Sequence, residues 1–159
     1  AFDKEGVVTA ATSSPLTDGA AAVIVCSEGY ANKNSLEILA FIRGMAISGC
    51  SPEVMGIGPV LSSQKALKRA GITLEDVDII EMNEAFAAQS LACVRELGVE
   101  MSKLNIHGGA ISMGHPLGAS GARITGKAAS LLKETGKRYA LSTMCVGGGQ
   151  GCATVLERA

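Results

Sequence analysis

Short apolar runs, separated by polar residues and by Gly and Pro, set the rhythm of this chain. Residues 6–11 are β-prone, and residues 12–19 form a polar, Pro-containing loop. The run AAAVIVC at 20–26 is continuous, partly β-branched and short, which predicts a buried strand. Composition turns polar over 31–35, residues 38–48 regain strand character, and Pro and Gly across 51–59 predict a loop.

A short helix follows over 62–70, with Ser62 or Ser63 as N-cap and Gly71 as stop. VDIIEM at 77–82 predicts a strand, and Asn83 opens a helix that Gly98 ends. Residues 104–107 predict a short strand ahead of a Gly-rich segment over 108–121. Helical pattern returns from about 119 to 134, with Gly136 beyond it. Two strands close the chain, 139–145 and 152–157, joined by VGGGQG as a tight hairpin-like turn. Strand and helix alternate while the last two strands pair antiparallel. The expectation is an α/β layered fold, a mixed sheet with packed helices.

Composition narrows the function. Hydrophobic residues make up 47% and charged residues 18%, as in an ordinary globular protein of one domain's size. A net charge of -1 and 3% aromatics supply neither the basic field nor the stacking platforms of a nucleic-acid binder. No apolar run reaches the ~18 residues of a membrane span. The N-terminal AFDKEGVVTA lacks an initiator Met and matches neither a signal nor a transit peptide, which suggests a processed chain or a segment of a longer one. Five cysteines without a CxxC pair argue against a disulfide or metal framework and for a reducing, intracellular compartment.

Three motifs carry chemistry. In NEAFA (83–87), Asn83 suits an N-cap and Glu84 the positive end of a helix dipole. The same amide can instead hold a water or substrate oxygen. In GGAISMGHPLGASGAR (108–123), glycines flank His115, and Pro116 pushes the His115 backbone towards extended geometry. A histidine so placed is better suited to donate or accept a proton than to pack. In MCVGGGQG (144–151), Cys145 is either a small buried hydrophobe or a thiol presented at a strand end beside free backbone N–H groups. GARITGKA (121–128) nearly spells the phosphate loop GxxxxGKS/T, but Ala128 has no hydroxyl and the segment reads as helix interior.

Together and in this order, the three motifs resemble those of the thiolase family. TAATSS (9–14), DGAAA (18–22) and MGIGP (55–59) extend the resemblance over essentially the whole chain. The resemblance implies that Cys145 moves the proton at the substrate's α-carbon. It implies that His115 activates a nucleophilic cysteine and helps hold a thioester oxygen. Asn83, through a bound water, completes that oxyanion site, and the Gly147 backbone N–H serves a second one. Ser14, Met55, Ala85 and Phe86 match positions lining the pantetheine or acyl pocket. No permanent cofactor or metal is implied; coenzyme A and acyl-CoA are substrates.

Nothing here matches the family's nucleophile motif, which belongs to its N-terminal half. The resemblance therefore assigns 1–38 to the tail of the loop domain plus the last segment of the N-terminal domain, and 39–159 to the C-terminal domain. It implies no turnover by this chain unaided. By itself, the run at 20–26 would then lack its native partners and be exposed. The resemblance also implies a missing N-terminal half as partner, a homo-oligomer in the full protein, and a cytoplasmic setting, or a mitochondrial or peroxisomal matrix in a eukaryote. EMNEAFAAQ and QGCATVLER favour degradative 3-ketoacyl-CoA thiolases over biosynthetic acetyl-CoA acetyltransferases. A non-catalytic thiolase-like interaction subunit is the rival from another class. A ketosynthase would use two histidines, and His107 lacks the matching motif.

Overall fold

The structure is a computed structural model that describes residues 3–159. Its sheet has four strands: β1 (Ala40–Gly49), β2 (Ile79–Met82), β3 (Tyr139–Val146) and β4 (Gln150–Arg158), in the order β1-β4-β3-β2. The β1–β4 and β3–β4 pairs are antiparallel and β2–β3 is parallel, so the sheet is mixed, as expected. The β3–β4 hairpin turns on glycines, with Gly148 at φ +83° and Gly149 at +86°. Those are left-handed values that only glycine adopts freely.

Among the described residues, five α-helices accompany the sheet: α1 (Glu28–Lys33), α2 (Gly58–Ala70), α3 (Ala87–Leu97), α4 (Ala110–Met113) and α5 (Leu117–Thr135). Consecutive strand residues point to opposite faces, and the core divides accordingly. Ile80, Leu141 and Val155 pack with Ala66 and Leu67 of α2 and Cys93 and Val94 of α3. Their neighbours Ile79, Ala140 and Leu156 pack on the other face against Ala128, Leu131 and Leu132 of α5. Both layers are close. A Cβ on Gly151 of β4 would collide with the Gly58 backbone at the start of α2.

Several expectations need correction. Residues 6–11 form no strand, because Thr9 and Thr12 cap one another across a single 3-10 turn (Ala10–Thr12). The region 51–59 is not a loop: a 3-10 turn (Pro52–Ile57) leads into α2, which starts ahead of Ser62 and Ser63 with Pro59 in its first turn. Pro favours that position because its missing N–H would go unpaired there in any case. Both serines are buried inside the helix, and Ser62 Oγ donates to the Gly58 carbonyl.

The strand at 104–107 shrinks to one bridge, Ile80 to Leu104. Asn105 takes over: its side chain accepts from Met82 N and donates to Met82 O, both at 2.9 Å, completing the edge of β2. The apolar run at 20–26 forms no strand. Val23, Ile24 and Val25 are 45%, 84% and 71% exposed, and they pair with no strand among the described residues. GARITGKA lies wholly within α5, as helix interior.

Candidate active site

The parallel pair β2–β3 sets the site. Met82 registers with Thr143, and Asn83 N donates to Thr143 O at 2.9 Å. Residue 83 and the Cys145 end of β3 therefore emerge at the same carboxyl edge of the sheet, where open α/β sheets place their chemistry. Asn83 is not the helix N-cap that its type suggests. This backbone bond at Asn83 and the pairing of extended Phe86 with Ser13 keep 83–86 outside the helix, and α3 starts at Ala87.

The Asn83 side chain, only 1% exposed, turns to the second motif. Its Nδ2 lies 3.3 Å from His115 Nε2, and its buried Oδ1 has no hydrogen-bond partner among the described residues. Gly114, at φ +99°, aims the chain into His115, and a Cβ there would collide with Thr17. On the far side of the ring, Nδ1 lies 2.7 Å from Ser120 Oγ, a fully buried hydroxyl at the base of α5. Burial first, and the Arg123 charge second, lower the His115 pKa, since both disfavour the imidazolium.

A strap from the chain's beginning joins the two motifs. Ser13 pairs with Phe86, and Ser14 donates through both N and Oγ to Ala85 O at 3.1 and 3.2 Å. Pro15 O then accepts from His115 N at 3.3 Å. Ser14, Ala85 and Phe86 are thus brought together, while the Ser14 hydroxyl is already engaged by backbone. Met55 lies on the Pro52–Ile57 turn, whose Gly56 carbonyl meets the Cys93 thiol of α3 at 3.3 Å.

Cys145 is buried near the end of β3, and its thiol pKa is pushed up to about 11. Burial is the main cause, with the nearby Cys93 next, and a backbone hydrogen bond works the other way. Gly147 begins the exposed turn; a Cβ there would meet nothing within 4 Å. A pocket of about 320 Å³ lined by Leu16, Thr17, Asp18, His115 and Leu117 opens at the histidine. The larger cleft, about 870 Å³ between residues 21–28, residues 36–43 and α5, holds no site residue.

Sequence reasoning missed three supports. Ser120 carried no signal of its own, because its role depends on how the chain turns at Pro116. Glu84 grips the segment 105–111 rather than its own helix. Glu81, 3% exposed, lies 3.2 Å from Lys127, which also donates to Gly108 O at 2.9 Å. Burial raises the Glu81 pKa against the Lys127 charge. A carboxylate inside the apolar run VDIIEM was the available clue, since buried charges require partners.

A mixed sheet presenting an asparagine, a histidine and a cysteine motif at one edge defines the class of the protein. Residues 36–158 match the family described as thiolase, C-terminal domain, and residues 1–29 match thiolase, N-terminal domain. The chain belongs to the thiolase family. It is 56% identical over 156 residues to the 3-ketoacyl-CoA thiolase of Vibrio parahaemolyticus, covering 96% of this chain and 40% of that protein. The crystal structure of human mitochondrial 3-ketoacyl-CoA thiolase in complex with CoA shares a TM-score of 0.97 at 48% identity, over 100% of this chain and 40% of that one. The Bacillus anthracis acetyl-CoA acetyltransferase matches with a TM-score of 0.97 at 43% identity, with the same coverage. The chain thus spans about 40% of the length of the relatives it matches. Among the described residues no helix is long and apolar enough to cross a membrane, and no cluster of ligating side chains is built to hold a metal ion.

Proposed function

We propose that this chain supplies the acid/base half of a degradative 3-ketoacyl-CoA thiolase, working with an N-terminal half that carries the nucleophilic cysteine. The observation that carries this reading is the approach of Asn83 Nδ2 to His115 Nε2, 3.3 Å apart, from two motifs separated by 32 positions.

In thiolytic cleavage the nucleophile's thiol gives its proton to His115 Nε2, and its sulfur adds to the β-carbonyl carbon of the substrate. The bond between the α- and β-carbons then breaks. Its electron pair leaves as the enolate of acetyl-CoA, and the Cys145 thiol protonates the α-carbon. A pKa of about 11 keeps Cys145 in the thiol form at neutral pH, ready for that step. Incoming CoA next gives its thiol proton to the Cys145 thiolate, and its sulfur takes the acyl group from the nucleophile, whose sulfur leaves and recovers its proton from His115. Protonated His115, with the Asn83 amide, faces one thioester oxygen, and the Gly147 N–H faces the other; each such donor is worth about 3–4 kcal/mol in the transition state.

Ser14, Met55, Ala85 and Phe86 line the pantetheine or acyl path in this reading, with coenzyme A as substrate and no resident cofactor. Residues 1–38 belong to the loop and N-terminal domains and 39–159 to the C-terminal domain. The full protein is a homo-oligomer of the cytoplasm, or of a mitochondrial or peroxisomal matrix.

The test is CoA-dependent cleavage of 3-ketoacyl-CoA esters of increasing length by the assembled enzyme, this chain together with its nucleophile-bearing half. Cleavage that Cys145→Ser and His115→Ala each reduce at least ~100-fold supports the reading. Full activity in either variant, or turnover by the 159-residue chain alone, overturns it.

A further inference from the structure

Glu84 directly follows Asn83, and its position in the sequence suits the dipole of the next helix. The structure sends its carboxylate across to the glycine-rich segment. Oε2 accepts from Ile111 N at 3.1 Å, and Oε1 accepts from Asn105 Nδ2 at 2.7 Å. Ile111 sits in the first turn of α4, which passes through Gly114 into His115. A ring closes: Asn83 is bonded to Glu84, Glu84 holds Ile111, the chain runs on to His115, and His115 returns to Asn83 at 3.3 Å.

We infer that Glu84 is a positioning residue that sets the approach of His115 to Asn83, an inference that rests on the thiolase reading above. A carboxylate accepts from both donors at once, one through each oxygen. A glutamine keeps one acceptor and turns its NH₂ towards the other donor, so one of the two grips is lost.

Gly109 supplies a second, independent handle on the same contact. Its φ of -129° is open to any residue, yet a Cβ there would collide with the Glu84 carboxyl group. Gly109→Ala therefore displaces Glu84 without disturbing the local backbone preference. Reacting groups misplaced by about 1 Å lose on the order of 10²-fold in rate, so a loosened ring shows in turnover.

In the assembled enzyme, Glu84→Gln and Gly109→Ala should each lower kcat at least about tenfold, with KM for CoA held within about twofold. The double variant should lose no more than the worse single one, because both break one contact. A second readout needs no turnover. Carbethoxylation of His115, followed by mass spectrometry with exposed His107 as the internal reference, should speed up at least about threefold in both variants as the ring opens. A Glu84→Gln enzyme with kcat within twofold of wild type, or with an unchanged His115 modification rate, overturns the inference. A wild-type enzyme without thiolase turnover would sink the functional reading instead, while the modification rates still decide the role of Glu84.

Discussion

Ser120 Oγ lies 2.7 Å from His115 Nδ1 and 3.1 Å from the Pro116 carbonyl oxygen. A hydroxyl has one proton, and a carbonyl can only accept. With its proton on the Pro116 carbonyl, Ser120 accepts from Nδ1–H, and that tautomer leaves Nε2 as the acceptor facing the Asn83 amide. A base with its lone pair on Nε2 is ready to take a thiol proton. Ser120→Ala releases the ring to exchange tautomers and should cost kcat on the order of tenfold, less than the ~10²–10⁴ of deleting the imidazole. Steady-state kinetics with nitrogen-15 spectra of the histidine rings would check it; an unchanged tautomer would refute the assignment.

His115 works as a base only when neutral. Burial, and then Arg123, hold its pKa below the ordinary value, so the neutral form persists further into acid. The acid limb of kcat/KM should fall below the ~6.5 of free histidine. Arg123→Leu removes the smaller cause and should move that limb up, part of the way back. A limb that stays put, or moves down, would contradict the stated role of Arg123.

Cys145 gives a chemical prediction for the chain itself. With its pKa pushed up to about 11, almost none of it is thiolate at pH 8, and the thiolate is the reactive form. Iodoacetamide at that pH should label exposed Cys26 well before Cys145, and labelling of Cys145 should accelerate as the pH rises towards 11. Equal labelling of the two at pH 8 would count against this.

Lys127 and Glu81 form the most buried ion pair among the described residues, 18% and 3% exposed. Lys127→Met leaves the carboxylate without its partner, which should cost about 3–5 kcal/mol at neutral pH by urea unfolding. The pH sense follows from the raised Glu81 pKa. A raised carboxylate pKa means that the folded state binds its proton more readily than the unfolded one. The penalty is then largest above the folded pKa and fades as the pH drops below the unfolded one. A loss that stays constant from pH 7 to pH 3 would show that the charge is not its source.

Much of the architecture was legible because it depends on local rules. Gly71, Gly98 and Gly136 mark helix ends, and all three take left-handed φ, at 71°, 76° and 68°. The VGGGQG turn likewise closes its hairpin through positive-φ glycines. The motifs around Asn83, His115 and Cys145 were readable because each is contiguous. What failed was decided by distant partners. The run at 20–26 has a strand's composition and pairs with none of the described strands, and α3 begins at Ala87 because Thr143 and Ser13 hold Asn83 and Phe86 outside the helix.

The sequence by itself therefore determined the alternation of elements, the helix stops, the hairpin and the three chemical motifs, since spacing, periodicity and glycine conformation act within a few residues. Only the tertiary structure decided the order β1-β4-β3-β2, the meeting of Asn83 with His115, the contact of Ser120 with the His115 ring and the reach of Glu84 to Ile111. Each of those joins residues whose contact no local rule specifies, because it exists only once the chain has closed on itself.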